Sequence, residues 1–161
     1  MRLLAWFVVM LVSVSLQSTL IPALSIGGVR PDLVLVVVVS AALTRGRETG
    51  VLCGVFGGVL QDLLSAGPFG VNTLSKMLVG LFVGFYERKI NQQNWLMPLM
   101  AVGAGTLGTG IVTALFLLGY GRGGAIPVLL TQMIPTVAYH ILLVAPVHAA
   151  IMWMKHRQEA K

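Results

Sequence analysis

Residues 3–26 form an uninterrupted run without a charged side chain. Wound as a helix at 1.5 Å per residue, such a run exceeds the roughly 30 Å of hydrocarbon in a bilayer. It is also longer than the apolar core of a signal peptide, and no small-residue cleavage site follows it cleanly, so a retained span is expected. Ser13, Ser15, Gln17, Ser18 and Thr19 lie inside the run. Their side chains can bond a neighbouring helix or their own backbone carbonyls.

Composition extends this constraint to the whole chain. Of 161 residues, 57% are hydrophobic and 10% charged, where a soluble domain carries about 25% charged residues. Water is therefore not the solvent for most of the surface, and the fold class expected is an all-α integral membrane protein. The lone Cys53 excludes an intramolecular disulfide and reads as a small packing residue. A net charge of +6 could suggest nucleic acid. The basic residues, however, stand singly between apolar runs rather than gathered on one face, so they read as topology determinants and no nucleic-acid partner is expected.

Taken in order, the chain predicts one domain, 1–161, with six transmembrane helices at about 3–26, 32–44, 49–64, 71–86, 96–118 and 125–154. Pro31 suits the first turn of the second helix, and Asp32 stands where the helix dipole favours a negative charge. The valine run that follows looks like a buried strand in isolation. An open strand cannot span lipid, so a short helix shielded by its neighbours is expected instead. The polar stretch 87–95 is a loop at a water interface, with Tyr86 and Trp95 as belt residues. In the last segment Pro135 predicts a break or kink near Ile134, with the span running mainly from Thr136 onward.

With six crossings, Arg2, Arg45, Arg47, Arg88, Lys89, Lys155, Arg157 and Lys161 fall on one side, and Arg30 and Arg122 on the other. The positive-inside rule makes the first side cytoplasmic and places both termini there.

The stretch 50–84 concentrates the polar chemistry. Its two glycine-spaced arms, carrying Gly50, Gly54 and Gly58 and then Gly80 and Gly84, permit close helix packing or the docking of a partner helix. Between them, Ser65-Ala66-Gly67-Pro68-Phe69-Gly70 makes a tight turn that brings Asp62 and Lys76 near one another at the outer face. Gln61, Asn72, Thr73 and Ser75 add to the polarity there. Charges among hydrocarbon-compatible neighbours are costly unless partnered. Asp62 with Lys76 can serve as a structural staple between helices, as a docking or ligand site, or as a proton relay. A driven transporter calls for more acidic groups deeper in the spans, which ranks the relay last.

Other chemistry finds little support. His140 and His148 have no neighbouring Asp, Glu or Cys to complete a ligand set, so no metal site is expected. No serine or cysteine has a histidine and an acid placed around it. The glycine-rich connector 119–124 lacks the lysine and hydroxyl of a phosphate-binding loop. Neither an enzyme nor a cofactor is indicated.

Several of these features together resemble the rod shape-determining protein MreD family. They are Arg30-Pro31-Asp32-Leu33 opening the valine-rich helix, the basic turn Arg45-Gly46-Arg47, the series from Gly50 through Gly54, Gly57 and Gly58 to Gln61-Asp62, and the turn Ser65, Gly67, Pro68, Gly70. The length, the six-span plan and the basic tail agree, so the resemblance covers the whole chain. It implies a multi-pass protein of the bacterial inner membrane that acts as a scaffold without enzymatic activity in the elongasome, the cell-elongation machinery. Implied partners are a bitopic MreC-like protein, the actin-like MreB filament and the peptidoglycan-synthesising glycosyltransferase and transpeptidase pair; a homodimer is left open. The implied fold is similar to the substrate-binding subunit of energy-coupling-factor transporters. That similarity supplies the alternative function, a small-solute binding subunit, although shared architecture does not confer shared activity.

Overall fold

The computed structural model describes residues 2–19, 31–86 and 96–159. These contain six α-helices and no strand: α1 (Arg2–Thr19), α2 (Leu33–Arg45), α3 (Arg47–Leu64), α4 (Val71–Phe85), α5 (Leu96–Gly119) and α6 (Ile126–Glu159), with a short 3-10 turn at Gly123–Ala125 before α6. The expected loop at 87–95, and the end of the first predicted span with the loop after it at 20–30, lie outside the described residues.

The centre of the bundle is α2, which touches every other α-helix. Each residue from Val34 to Thr44 is buried. Its valines belong to two clusters. Val34, Val37 and Val38 pack with Met10 and Val14 of α1, Cys53 of α3 and Ile151 of α6. Leu35, Val36, Val39 and Leu43 pack with Val79 of α4, Val102 of α5 and Val144 of α6. A helix apolar on every face must be enclosed on every face. That is why a strand-like sequence folds here as a shielded helix, as its length among membrane-length neighbours predicts.

Gly46 joins α2 to α3 in a single residue with φ of 84°, a left-handed conformation that glycine adopts without penalty. The α3–α4 hairpin is the closest pairing in the bundle. A Cβ on Gly54 would run into the Lys76 carbonyl, and one on Gly80 into the Gly50 carbonyl. One on Gly58 would lie 2.5 Å from the Thr73 Cα, and one on Gly84 would overlap Arg47. Gly50, Gly54, Gly58, Gly80 and Gly84 are thus all spent on contact within the chain. Of the two uses expected of these glycines, helix packing and partner docking, the structure shows packing within the chain.

A second correction concerns α6. The helix continues through both Pro135 and Pro146, so of the break or kink expected near Ile134 the break is absent. Proline leaves the carbonyl four residues back, here that of Thr131, without its N–H partner. Thr136 Oγ1 donates to the Gln132 carbonyl at 2.6 Å in the turn that holds Pro135. The same habit recurs where Ser13, Thr44, Ser75, Thr106, Thr109 and Thr113 each donate to the carbonyl four residues back. These hydroxyls are thereby satisfied without water, whereas the buried Ser40 hydroxyl of α2 has no hydrogen-bond partner.

Two helices are long and apolar enough to cross a membrane, Leu96–Gly119 and Gly123–Trp153. Their outward faces carry exposed large apolar residues such as Leu115, Ile134 and Leu142, while Lys76 and His140 are inside. This polarity, greasy outside and charged within, is the reverse of a water-soluble domain and suits a lipid solvent.

Candidate functional site

Near the end of the bundle where α2 begins, α3 ends and α4 begins, the structure gathers Asp32, Gln61, Asp62, Asn72, Lys76, Thr106 and His140. Lys76 is fully buried, and its Nζ lies 2.7 Å from Asp32 Oδ2. It also donates to Asn72 Oδ1 at 3.0 Å. Asp32 Oδ1 accepts from the Leu35 backbone N–H, capping α2, and from Gln61 Nε2. A buried ammonium requires a partner of opposite charge, and Asp32 supplies it.

The expected pair of Asp62 with Lys76 is therefore corrected, and the reason lies in how α4 starts. Its N-cap is Gly70, which has no side chain to accept the unpaired N–H groups of the first turn. Asp62 reaches across from α3 to do so. Its Oδ1 accepts from the backbone and side-chain N–H of Asn72, and its Oδ2 accepts from the N–H of Gly70 and from the N–H and hydroxyl of Thr73. A carboxylate offers about four lone-pair positions, so five donors saturate it. The positive end of the α4 dipole favours the same placement. Asn72 links the two acids, since it donates to Asp62 and accepts from Lys76.

On the other side of Asp32, its backbone N–H donates to His140 Nε2 at 2.6 Å. His140 Nδ1 lies 2.7 Å from Thr106 Oγ1, and that hydroxyl already donates to the Val102 carbonyl. The network thus assigns the proton to Nδ1, with Nε2 as acceptor and the ring neutral. His140 and Thr106 tie α6 and α5 to the start of α2. A further strut links α1, where Gln17 Oε1 accepts from the Val34 N–H.

The remaining predicted residues have local roles. Gly67 donates its N–H to Ser65 Oγ and so tightens the turn. Gly70 adopts the left-handed conformation with φ of 99°. Pro68 sits between them, half-buried. His148 is buried eight residues from His140. Among the described residues no group of three or more His, Cys, Asp or Glu is placed to hold a metal ion.

Sequence reasoning gave Asp32 only a helix-end role and read His140 only as lacking the partners for a metal site. The available clue was the glycine at the start of α4, which left an anion vacancy for Asp62 to fill and so freed Lys76 for another acid.

Two spaces border the network and share Asp32. One, of about 530 Å³, lies among Gln17, Asp32, Gln61, Leu64, Ser65 and Asn72. The other, of about 160 Å³, lies between α5 and α6 beside Thr106, Gln132 and His140. The arrangement is a static lock with a vestibule: it holds four helix ends in register and presents polar atoms to a cavity.

Comparison with known proteins adds one positive finding. The family model for rod shape-determining protein MreD matches residues 1–157. No curated protein and no solved structure matches the chain.

Proposed function

The chain belongs to the MreD family of rod shape-determining proteins, and from that premise we propose that it is a non-enzymatic scaffold subunit of the bacterial cell-elongation machinery. In this reading its six helices cross the inner membrane with both termini in the cytoplasm. It holds a bitopic MreC-like partner and through it helps regulate peptidoglycan synthesis, in company with MreB and the glycosyltransferase and transpeptidase pair. The family match along nearly the full chain is the observation that carries the proposal.

The structure supports the reading in two ways. The polar network uses its members to fix helix ends rather than to present a reactive group. The outward faces of α1 and α5, with exposed Leu4, Val8, Leu11, Leu107 and Leu115, offer apolar surface that a single partner helix can cover in place of lipid. At the opposite end of α3 from the Asp62 turn, exposed Arg47 sits 5.3 Å from the Phe85 ring centroid. It is placed to meet acidic partners or anionic lipid, at about 1 kcal/mol per basic residue near such a surface.

The test is co-purification of the full-length chain with a tagged MreC-like protein, together with replacement of the native copy in a rod-shaped cell. The pair is expected to survive solubilisation. Val8→Trp on α1 or Leu115→Trp on α5 is expected to release the partner and round the cells while leaving the purified chain folded. Normal rods in cells depleted of the protein would overturn the proposal.

A further inference from the structure

His140 completes its hydrogen bonding inside the chain. An imidazole has two nitrogens, and both are engaged: Nε2 lies 2.6 Å from the backbone nitrogen of Asp32, and Nδ1 lies 2.7 Å from Thr106 Oγ1. A backbone N–H can only donate. Nε2 must therefore present a lone pair, and this link between α6 and the start of α2 exists only while the ring is neutral. A proton added at Nε2 turns the acceptor into a donor facing another donor, and the link is lost.

The link stands where it has leverage. From residue 107 to residue 139 only Gly110 is buried, so Thr106 and His140 mark the place where the α5–α6 hairpin leaves the bundle. On the bundle side, Val102 and Val144 hold the two helices to α2 by apolar packing. Among the described residues, the charged groups beside the ring are Asp32 at the start of α2 and Lys76 of α4, which are paired with each other. A protonated ring would compete with Lys76 for that carboxylate. No residue of α5 is titratable, and on α6 the nearest titratable groups are the adjoining Tyr139 and His148, eight residues on. The ring itself is 1% exposed, but water has a route to it. The space of about 160 Å³ between α5 and α6 reaches His140 past Thr109, Thr113, Gln132 and Thr136, and holds about five water molecules at about 30 Å³ each. The three threonine hydroxyls donate to carbonyls of their own helices, which leaves their lone pairs to accept from water.

We propose that His140 is a pH-sensitive clasp. Neutral, it fastens the α5–α6 hairpin to the first turn of α2. On acidification, hydronium arriving through the α5–α6 cleft gives its proton to Nε2 and leaves as water, the bond to the Asp32 N–H breaks, and the hairpin is free to shift against the bundle. In a nanodisc both faces meet one buffer, so the clasp responds there whichever way the chain is inserted.

The experiment uses the purified full chain in nanodiscs, with isotopically labelled histidine nitrogens read by NMR between about pH 8 and about pH 5. The chain has three histidines, His140, His148 and His156. The ring of interest is identified as the one left in the double variant His148→Gln with His156→Gln, or as the one missing from His140→Gln, so either variant suffices. At the upper pH the proton is expected on Nδ1 and the bare Nε2 signal is expected to be present; at the lower pH that signal is expected to be lost. Spin labels at Tyr120→Cys and Ala66→Cys, both exposed positions, report the hairpin against the α3–α4 turn, the native Cys53 being buried. Their separation is expected to shift by about 2 Å or more on acidification. His140→Gln keeps an acceptor and cannot titrate, so the separation is expected to stay constant in it. Should that variant fail to fold, the midpoints decide: ring protonation and the distance change are expected to share one. A neutral proton on Nε2, a ring still neutral at the lower pH, a separation unmoved by acid, the same movement in His140→Gln, or two different midpoints would overturn the proposal.

Discussion

Lys76 is the residue whose cost is highest, because a buried ammonium without a counter-ion is far less stable than one beside a carboxylate. Removing one member of a buried ion pair typically costs about 3–5 kcal/mol, whereas replacing both can cost much less. Asp32→Asn is therefore expected to lower the unfolding midpoint sharply, and Asp32→Asn with Lys76→Met to recover much of the loss. Asp62→Asn is also expected to destabilise, by exposing the first turn of α4. Combined with Lys76→Met, however, its effect is expected to be nearer to additive than that of the Asp32 pair, since Asp62 and Lys76 meet only through Asn72 while Asp32 and Lys76 are in direct contact. Thermal unfolding of these four variants and of Lys76→Met alone measures both couplings, and a larger coupling for 62 with 76 than for 32 with 76 would refute the geometry. At this scale the sequence was half legible. That an acid and a base sit inside the bundle follows from their apolar neighbours. Which acid meets Lys76 depends on Gly70 starting α4 without a capping oxygen, and on α2 beginning beside α4, which is a fact of three-dimensional packing.

Among the elements, the α3–α4 hairpin was readable from glycine spacing because the motif specifies close contact directly. Gly54→Ala is expected to force the helices apart and to cost about 1–3 kcal/mol, since the added methyl meets the Lys76 backbone. Gly103→Ala is the matched control. Nothing lies within 4 Å of that position, so the change is expected to be neutral or to stabilise by up to about 1 kcal/mol through helix propensity. Equal losses for the two variants would show that the hairpin is not tightly packed. The central place of α2 was partly legible, because a short all-apolar helix needs shielding. The continuity of α6 was not. Pro135 carries a breaking tendency in any local reading, and the helix nonetheless runs through it.

For the whole molecule, the decisive geometry is that α3 separates a basic turn from a polar one. Arg47 begins the helix and Leu64 ends it, so if α3 crosses the membrane, Glu48 and Ala66 face opposite compartments. On the topology proposed above, the basic residues at Arg45 and Arg47 put the Glu48 end in the cytoplasm. The Asp32 network and its cavity then lie toward the outer face. Both positions are exposed, while the native Cys53 is 3% exposed in the core and supplies little background. Ala66→Cys is expected to react with a membrane-impermeant maleimide in right-side-out vesicles, and Glu48→Cys only in inverted ones. Labelling of both from one side would mean that α3 lies in the interface or re-enters. The reverse pattern would keep the crossing but turn the cavity toward the cytoplasm and the basic turn at Arg45 and Arg47 toward the outside.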